Sequence, residues 1–145
     1  MKNSYTDDCP LYLTGVADKH LREGLAKRVR DQGLNVSSQQ IHLLLYLFQE
    51  DGISQKRLSE LTKMTKISIV KAINLLEANK LAVRVQRSDD QRNKDVYLTA
   101  EGHLIKDTVY RTIDQHKASV FEGISAEEAD AFKTTLKKML KNVIN

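Results

Sequence analysis

The chain has 145 residues, 41% of them hydrophobic and 29% charged, with a net charge of +4. That length suits one domain around one core, and the apolar content is too high for a disordered chain. The longest apolar run, Leu43-Leu44-Leu45-Tyr46-Leu47-Phe48, falls far short of the ~20 residues of a membrane span. Residues 1–8 lack the apolar stretch of a secretory signal. The single cysteine, Cys9, excludes an intramolecular disulfide framework. The expectation is a cytoplasmic domain spanning 1–145, without a membrane partner or cofactor.

From residue 11 to 29, Leu13, Val16, Leu21, Leu25 and Val29 recur at helical spacing, behind Pro10 and closed by Gly33. Ser37 and Gln40 form a capping box for a second helix burying Ile41, Leu44, Leu45 and Phe48. Asp51-Gly52 ends it. Ser54 caps a short third helix carrying Leu58 and Leu61. After a break at Thr62-Lys63-Met64, Thr65 caps a fourth helix, about 66–79, burying Ile69, Ala72, Ile73 and Leu76. The period then changes to two. Val83 and Val85 alternate with Arg84, Gln86 and Arg87, and Val96 and Leu98 alternate with Asp95, Tyr97 and Thr99. These are two short strands joined by the polar turn 88–93. Thr99 caps a fifth helix with Leu104, Ile105, Val109 and Ile113 on one side. Ser125 and Glu128 form a second capping box. It opens a sixth helix with Ala129, Phe132, Leu136, Met139, Leu140 and Val143 in one stripe.

Charge is distributed unevenly along this order. Residues 51–100 hold 10 Lys/Arg against 6 Asp/Glu, whereas 1–50 hold 6 of each and 101–145 hold 7 of each. Within 62–94, eight basic residues (Lys63, Lys66, Lys71, Lys80, Arg84, Arg87, Arg92, Lys94) face only Glu77, Asp89 and Asp90. Such a local surplus is the footprint of a phosphate-binding surface. There is no Gly-rich phosphate loop and no nucleophile–base spacing, so an enzyme is not expected.

Two short helices with a tight turn, then a basic hairpin, make a winged helix-turn-helix. The fold class is mainly α: a winged helix-turn-helix with a two-stranded hairpin wing, flanked by long N- and C-terminal dimerisation helices. The fourth helix can enter the major groove of double-stranded DNA, which takes one α-helix. Its outer face carries Lys66, Ile67, Val70, Lys71 and Asn74. The two lysines can reach phosphate or guanine, and Asn74 can pair with adenine. Ile67 and Val70 fit thymine methyls or a broader buried stripe equally well. Thr65 and Ser68 stand where a helix N-terminus binds phosphate. Arg84, Arg87, Arg92 and Lys94 lie in the hairpin, where an Arg can exploit a narrow minor groove. Asp90, two residues before Arg92, is placed to hold its guanidinium.

Residues 36–102 resemble the multiple-antibiotic-resistance regulator (MarR) family. The matching stretches are Leu58-Ser59-Glu60-Leu61, residues 69–77, and above all the wing Asp89-Asp90-Gln91-Arg92-Asn93-Lys94-Asp95-Val96-Tyr97-Leu98-Thr99-Ala100-Glu101-Gly102. The resemblance implies a homodimer interlocked through the parts 10–35 and 103–145. It also implies major-groove contacts from Thr65, Ser68 and Lys71, and a minor-groove Arg92 partnered by Asp90. Gln91 departs from the family's basic pair. Lys80 replaces a usual glycine, and must adopt a left-handed conformation or leave the cap to Asn79.

The expected function is a sequence-specific transcription regulator on a palindromic operator, a repressor released by a small-molecule effector. A pocket lined by Tyr12, His20, His42 and Tyr46 is the candidate effector site. The alternatives are a winged-helix protein-interaction module and a redox sensor using Cys9. No His pairs with another His or Cys at metal-ligand spacing, although His103 and Asp107 are four apart, and no metal is expected.

Overall fold

The computed structural model describes residues 4–144; residues 1–3 of the stretch read for a secretory signal lie outside them. Helix α1 spans Pro10–Asp31, and Gly33 beyond it takes the left-handed conformation. Helix α2 spans Ser38–Leu47 with the capping box in place: Gln40 N–H donates to Ser37 Oγ, and Ser37 N–H donates to Gln40 Oε1. Strand β1 is Ile53–Ser54, α3 is Gln55–Thr62 and α4 is Lys66–Ala78. Ser54 caps α3 and Thr65 caps α4. Strands β2 (Ala82–Gln86) and β3 (Lys94–Leu98) form the hairpin, followed by α5 (Ala100–Leu104), α6 (Lys106–Val120) and α7 (Ala126–Val143).

The core is built where α2, α3 and α4 converge. Leu43, Leu44, Leu47, Leu58, Ile69, Ile73 and Leu76 are all but fully buried, each contributing about 1.5–3 kcal/mol. Val96 joins them from the sheet, Val29 from α1 and Val109 from α6. The turn between α3 and α4 is locked by side chains. Thr62 Oγ1 donates to Leu58 O and accepts from Met64 N–H, Ser59 Oγ donates to Met64 O, and Lys63 takes a positive φ of 59°. This fixes how α4 stands on the core.

The expected hairpin forms, and a third strand joins it: the sheet order is β1-β3-β2, since Ile53 and Ser54 pair antiparallel with Val96 and Asp95. Within β2, Val83 and Val85 point outward, 43% and 48% exposed, while Ala82 and Arg84 face α4. Two expectations are corrected. The fifth helix is two, broken at Ile105, with Leu104 exposed. Asp90 does not hold the Arg92 guanidinium; its Oδ1 accepts the Arg92 backbone N–H at 2.9 Å and its Oδ2 accepts Asn93 Nδ2 at 2.7 Å. Asp90 therefore shapes the turn.

At the end of α4 both alternatives for Lys80 hold together. Asn79 is the C-cap, and Lys80 follows in the left-handed region at φ 60°. Lys80 N–H donates to Glu77 O and Leu81 N–H to Leu76 O, which is the Schellman arrangement. Helix α7 carries its capping box at Ser125 and Glu128, yet none of its described residues is buried.

Candidate nucleic-acid interface

The N-terminus of α4 is where several expected residues meet. Thr65 Oγ1 accepts from Ser68 N–H at 3.2 Å and donates to Ser68 Oγ at 3.0 Å. Both hydroxyls thus stand at the positive end of the helix dipole. Along the outer face, Lys66, Ile67, Val70, Lys71 and Asn74 line a shallow depression of about 410 Å³. Ile67 is 83% exposed and Val70 half-buried. An apolar side chain so exposed has no place in a wider buried stripe, which leaves Ile67 on the outer face.

A deeper cleft of about 590 Å³ runs between α3, the start of α4 and the wing. Gln55, Lys56, Ser59, Glu60, Lys66, Ile69, Arg84, Arg92, Asn93 and Lys94 line it. Four cationic side chains from three elements thereby join Arg84 around one concavity. Lys56 and the other α3 residues were not expected in the site. The signal for them was the helix-turn-helix itself, whose tight turn brings the first turn of α3 beside the start of α4.

The wing cations divide into held and unheld. Arg87 Nε donates to both carboxylate oxygens of Asp95 at 3.0 Å, and these bonds, with Asp95's charge, raise its already high pKa. The Arg92 and Lys94 side chains are exposed. The Arg92 guanidinium has no hydrogen-bond partner among the described residues. Gln86 Nε2 donates to Gln91 O and Arg87 N–H to Asn93 O, so the turn beneath Arg92 is braced from both strands.

Arg84 sits differently from the other candidates. It is half-buried, and its Nε and one terminal nitrogen donate to the two oxygens of Glu77 at 3.1 and 2.7 Å. The same terminal nitrogen donates to Asn74 Oδ1 at 2.6 Å, and Arg84 N–H donates to Glu77 Oε1 at 2.9 Å. The Arg84 side chain holds the Glu77 carboxyl below the usual carboxylate range, against a smaller opposing effect of burial. Arg84 thus ties β2 to α4.

The four effector-pocket candidates do not share a cleft with these residues. Tyr12 and His20 are exposed on α1. His42 and Tyr46 are half-buried on α2 with ring centroids 5.7 Å apart, and Tyr46 hydroxyl donates to Leu61 O. Burial first, and the Arg22 charge second, keep the His42 pKa below its ordinary value. His103 Nε2 lies 3.0 Å from Asp51 Oδ2 rather than pairing with Asp107. Cys9 is half-buried at the N-cap position of α1. No helix among the described residues is long and apolar enough to cross a membrane.

Residues 32–93 match the model of the MarR family. The chain is 20% identical over 127 residues to the HTH-type transcriptional regulator PrsX of Escherichia coli, covering 88% of this chain and 76% of that one. The structure of an S. aureus MepR–DNA complex superposes with a TM-score of 0.82 at 24% identity, covering 92% of this chain and 98% of that one. A putative MarR-family regulator from Listeria monocytogenes, complexed with a 26mer DNA, gives 0.78 at 24% identity over 99% and 90%.

Proposed function

We propose that this chain is a winged-helix transcription regulator of the MarR family and that it binds a palindromic DNA operator as a homodimer. Helix α4 enters the major groove and the wing, about 87–95, enters the minor groove. One observation carries the reading: Lys66 at the start of α4 lines one cleft with the unheld wing cations Arg92 and Lys94, and it also begins the exposed outer face of α4. Lys66 and Lys71 supply phosphate or guanine contacts, and Ile67 and Val70 meet thymine methyls. Thr65 and Ser68 position a phosphate at the helix N-terminus. Arg92 enters the minor groove, where negative potential is concentrated.

In this reading residues 36–102 read DNA, while 10–35 and 103–145 form the dimer. An 18-residue helix with no buried residue and with Phe132, Leu140 and Val143 exposed is a surface that a partner covers. Leu11, Leu13, Val16 and Leu21 on α1 are likewise exposed. A twofold axis sets two α4 helices about one DNA turn apart, which is why the operator is palindromic. Binding represses transcription, and a small molecule seated near His42 and Tyr46, on the helix joining α1 to α3, releases it.

The test is recovery of bound genomic fragments by the purified protein, followed by stoichiometry on the recovered site. The expected result is two chains per inverted repeat, with half-site centres about ten base pairs or a multiple apart. Recovery of no preferred fragment, or one chain bound to an asymmetric site, overturns it.

A further inference from the structure

The Asn74–Arg84–Glu77 cluster carries an inference about specificity that rests on the reading of α4 as the major-groove helix. Asn74 is exposed and lines the outer depression of α4 with Lys66, Ile67, Val70 and Lys71. Its side-chain amide has one acceptor end and one donor end, and which end faces the base decides what it can read. An arginine guanidinium has only donors. The atom that Arg84 contacts at 2.6 Å is therefore the amide oxygen, Oδ1, and the amide nitrogen is turned away from Arg84. Arg84 itself cannot swing aside freely, because Glu77 binds it through Nε and a terminal nitrogen and also accepts its backbone N–H.

We propose that Arg84 is a positioning residue for sequence readout: it holds the Asn74 amide so that only the NH₂ group is presented to the groove, making Asn74 a reader of hydrogen-bond acceptors. Guanine offers two adjacent acceptors there, N7 and O6. Adenine's bidentate pairing needs the amide to present its oxygen to N6–H while its nitrogen meets N7. With the oxygen turned back to Arg84, that pairing is lost. Cytosine offers only a donor, its N4 amino group, and is rejected. The base facing Asn74 is therefore guanine in preference to adenine, and adenine in preference to cytosine. The pairing with adenine expected from residue type alone assumed a freely rotating amide.

The experiment is selection from randomised duplexes by the full-length protein, comparing wild type, Asn74→Ala, Arg84→Met and Asn74→Asp. Asn74→Ala locates the base pair by flattening preference at one position per half-site. Wild type favours guanine there, by about tenfold over adenine, which is within the discrimination typical of one good side-chain–base pair. Arg84→Met keeps the alkyl stem and frees the amide, so preference at that position moves to adenine while the other positions hold. Asn74→Asp keeps Arg84 and Glu77 together and presents only acceptors, so preference moves to cytosine. This variant carries the test if Arg84→Met does not fold.

Guanine retained in Arg84→Met or in Asn74→Asp overturns the inference while leaving α4 as the reading helix. Wild-type preference for adenine or cytosine at the position also overturns it. Failure of the wild type to select any duplex refutes the DNA-binding reading, and the inference falls with it.

Discussion

Replacing Gly102 with alanine perturbs the joint between α4, the wing and helices α5 and α6. Gly102 is buried on α5, and the added Cβ would fall far inside the 3.0 Å below which a Cβ essentially never approaches another heavy atom. The atom it meets is the Leu81 carbonyl oxygen, with Leu81 C and Leu98 Cδ2 each at 3.2 Å. That oxygen is backbone and cannot rotate aside. It also accepts the Thr99 N–H at 3.0 Å, while Thr99 Oγ1 donates to Lys80 O at 2.6 Å and accepts Gly102 N–H at 3.0 Å. Relief of the clash must therefore move α5 away from Leu81 and loosen its cap. Overpacking of this kind costs about 1–3 kcal/mol, and the upper part of that range applies because backbone obstructs. Loss of the Thr99 cap adds about 1 kcal/mol. The better helix propensity of alanine returns about 1 kcal/mol. The net loss is about 2–3 kcal/mol, read as a fall in urea midpoint at fixed protein concentration and unchanged m-value. A variant within about 0.5 kcal/mol of wild type would refute the reasoning.

Three further outcomes follow from named contacts. Lys80→Gly removes the cost of a left-handed non-glycine residue and should stabilise the protein by about 0.5–1 kcal/mol in the same assay; a loss of stability would count against the Schellman assignment. Phe132→Glu with Leu140→Glu places charges in the exposed stripe of α7, and sedimentation equilibrium should show a monomer with its helical circular dichroism retained. A dimer that persists in the double variant would place the interface elsewhere. The Glu77 carboxyl is held below its unfolded value chiefly by Arg84. Its contribution to stability is thus present above the ordinary carboxylate range and lost as pH falls through the depressed folded value. Glu77→Gln should accordingly be less stable than wild type at pH 7, with the gap closing as pH falls below about 4; a gap constant with pH would contradict the ion pair.

Local signals were legible in the sequence where the physics is local. Ser37 with Gln40, and Ser125 with Glu128, find their partners three residues away, and both boxes form as read. Thr65 caps α4 for the same reason. The features that escaped depend on partners distant in the chain. Alternation identified β2 but not which of its faces looks inward; that was settled by Glu77 on α4 reaching Arg84, and by Ala82 fitting the core. Strand β1 has two residues, too few to show a period, and exists because Val96 and Asp95 pair with it. The break at Ile105 has no proline or glycine to mark it. In the wing, Asp90 two residues before Arg92 suggested a side-chain pair, but so short a separation favours the backbone N–H. The carboxylate of the wing itself that holds a guanidinium is Asp95, eight residues from Arg87 and across the hairpin. The outer face of α4 was legible almost whole, since an amphipathic helix of known phase exposes what it does not bury.

The measurement that bears most directly on DNA binding through α4 and the wing is operator affinity across a salt series, for wild type and Arg92→Ala. Phosphate contacts release counterions, so log affinity should fall linearly with log salt, at about −0.9 per phosphate neutralised. Arg92→Ala should lose about 1–3 kcal/mol of binding. Affinity indifferent to salt, or unchanged in Arg92→Ala, would contradict the account.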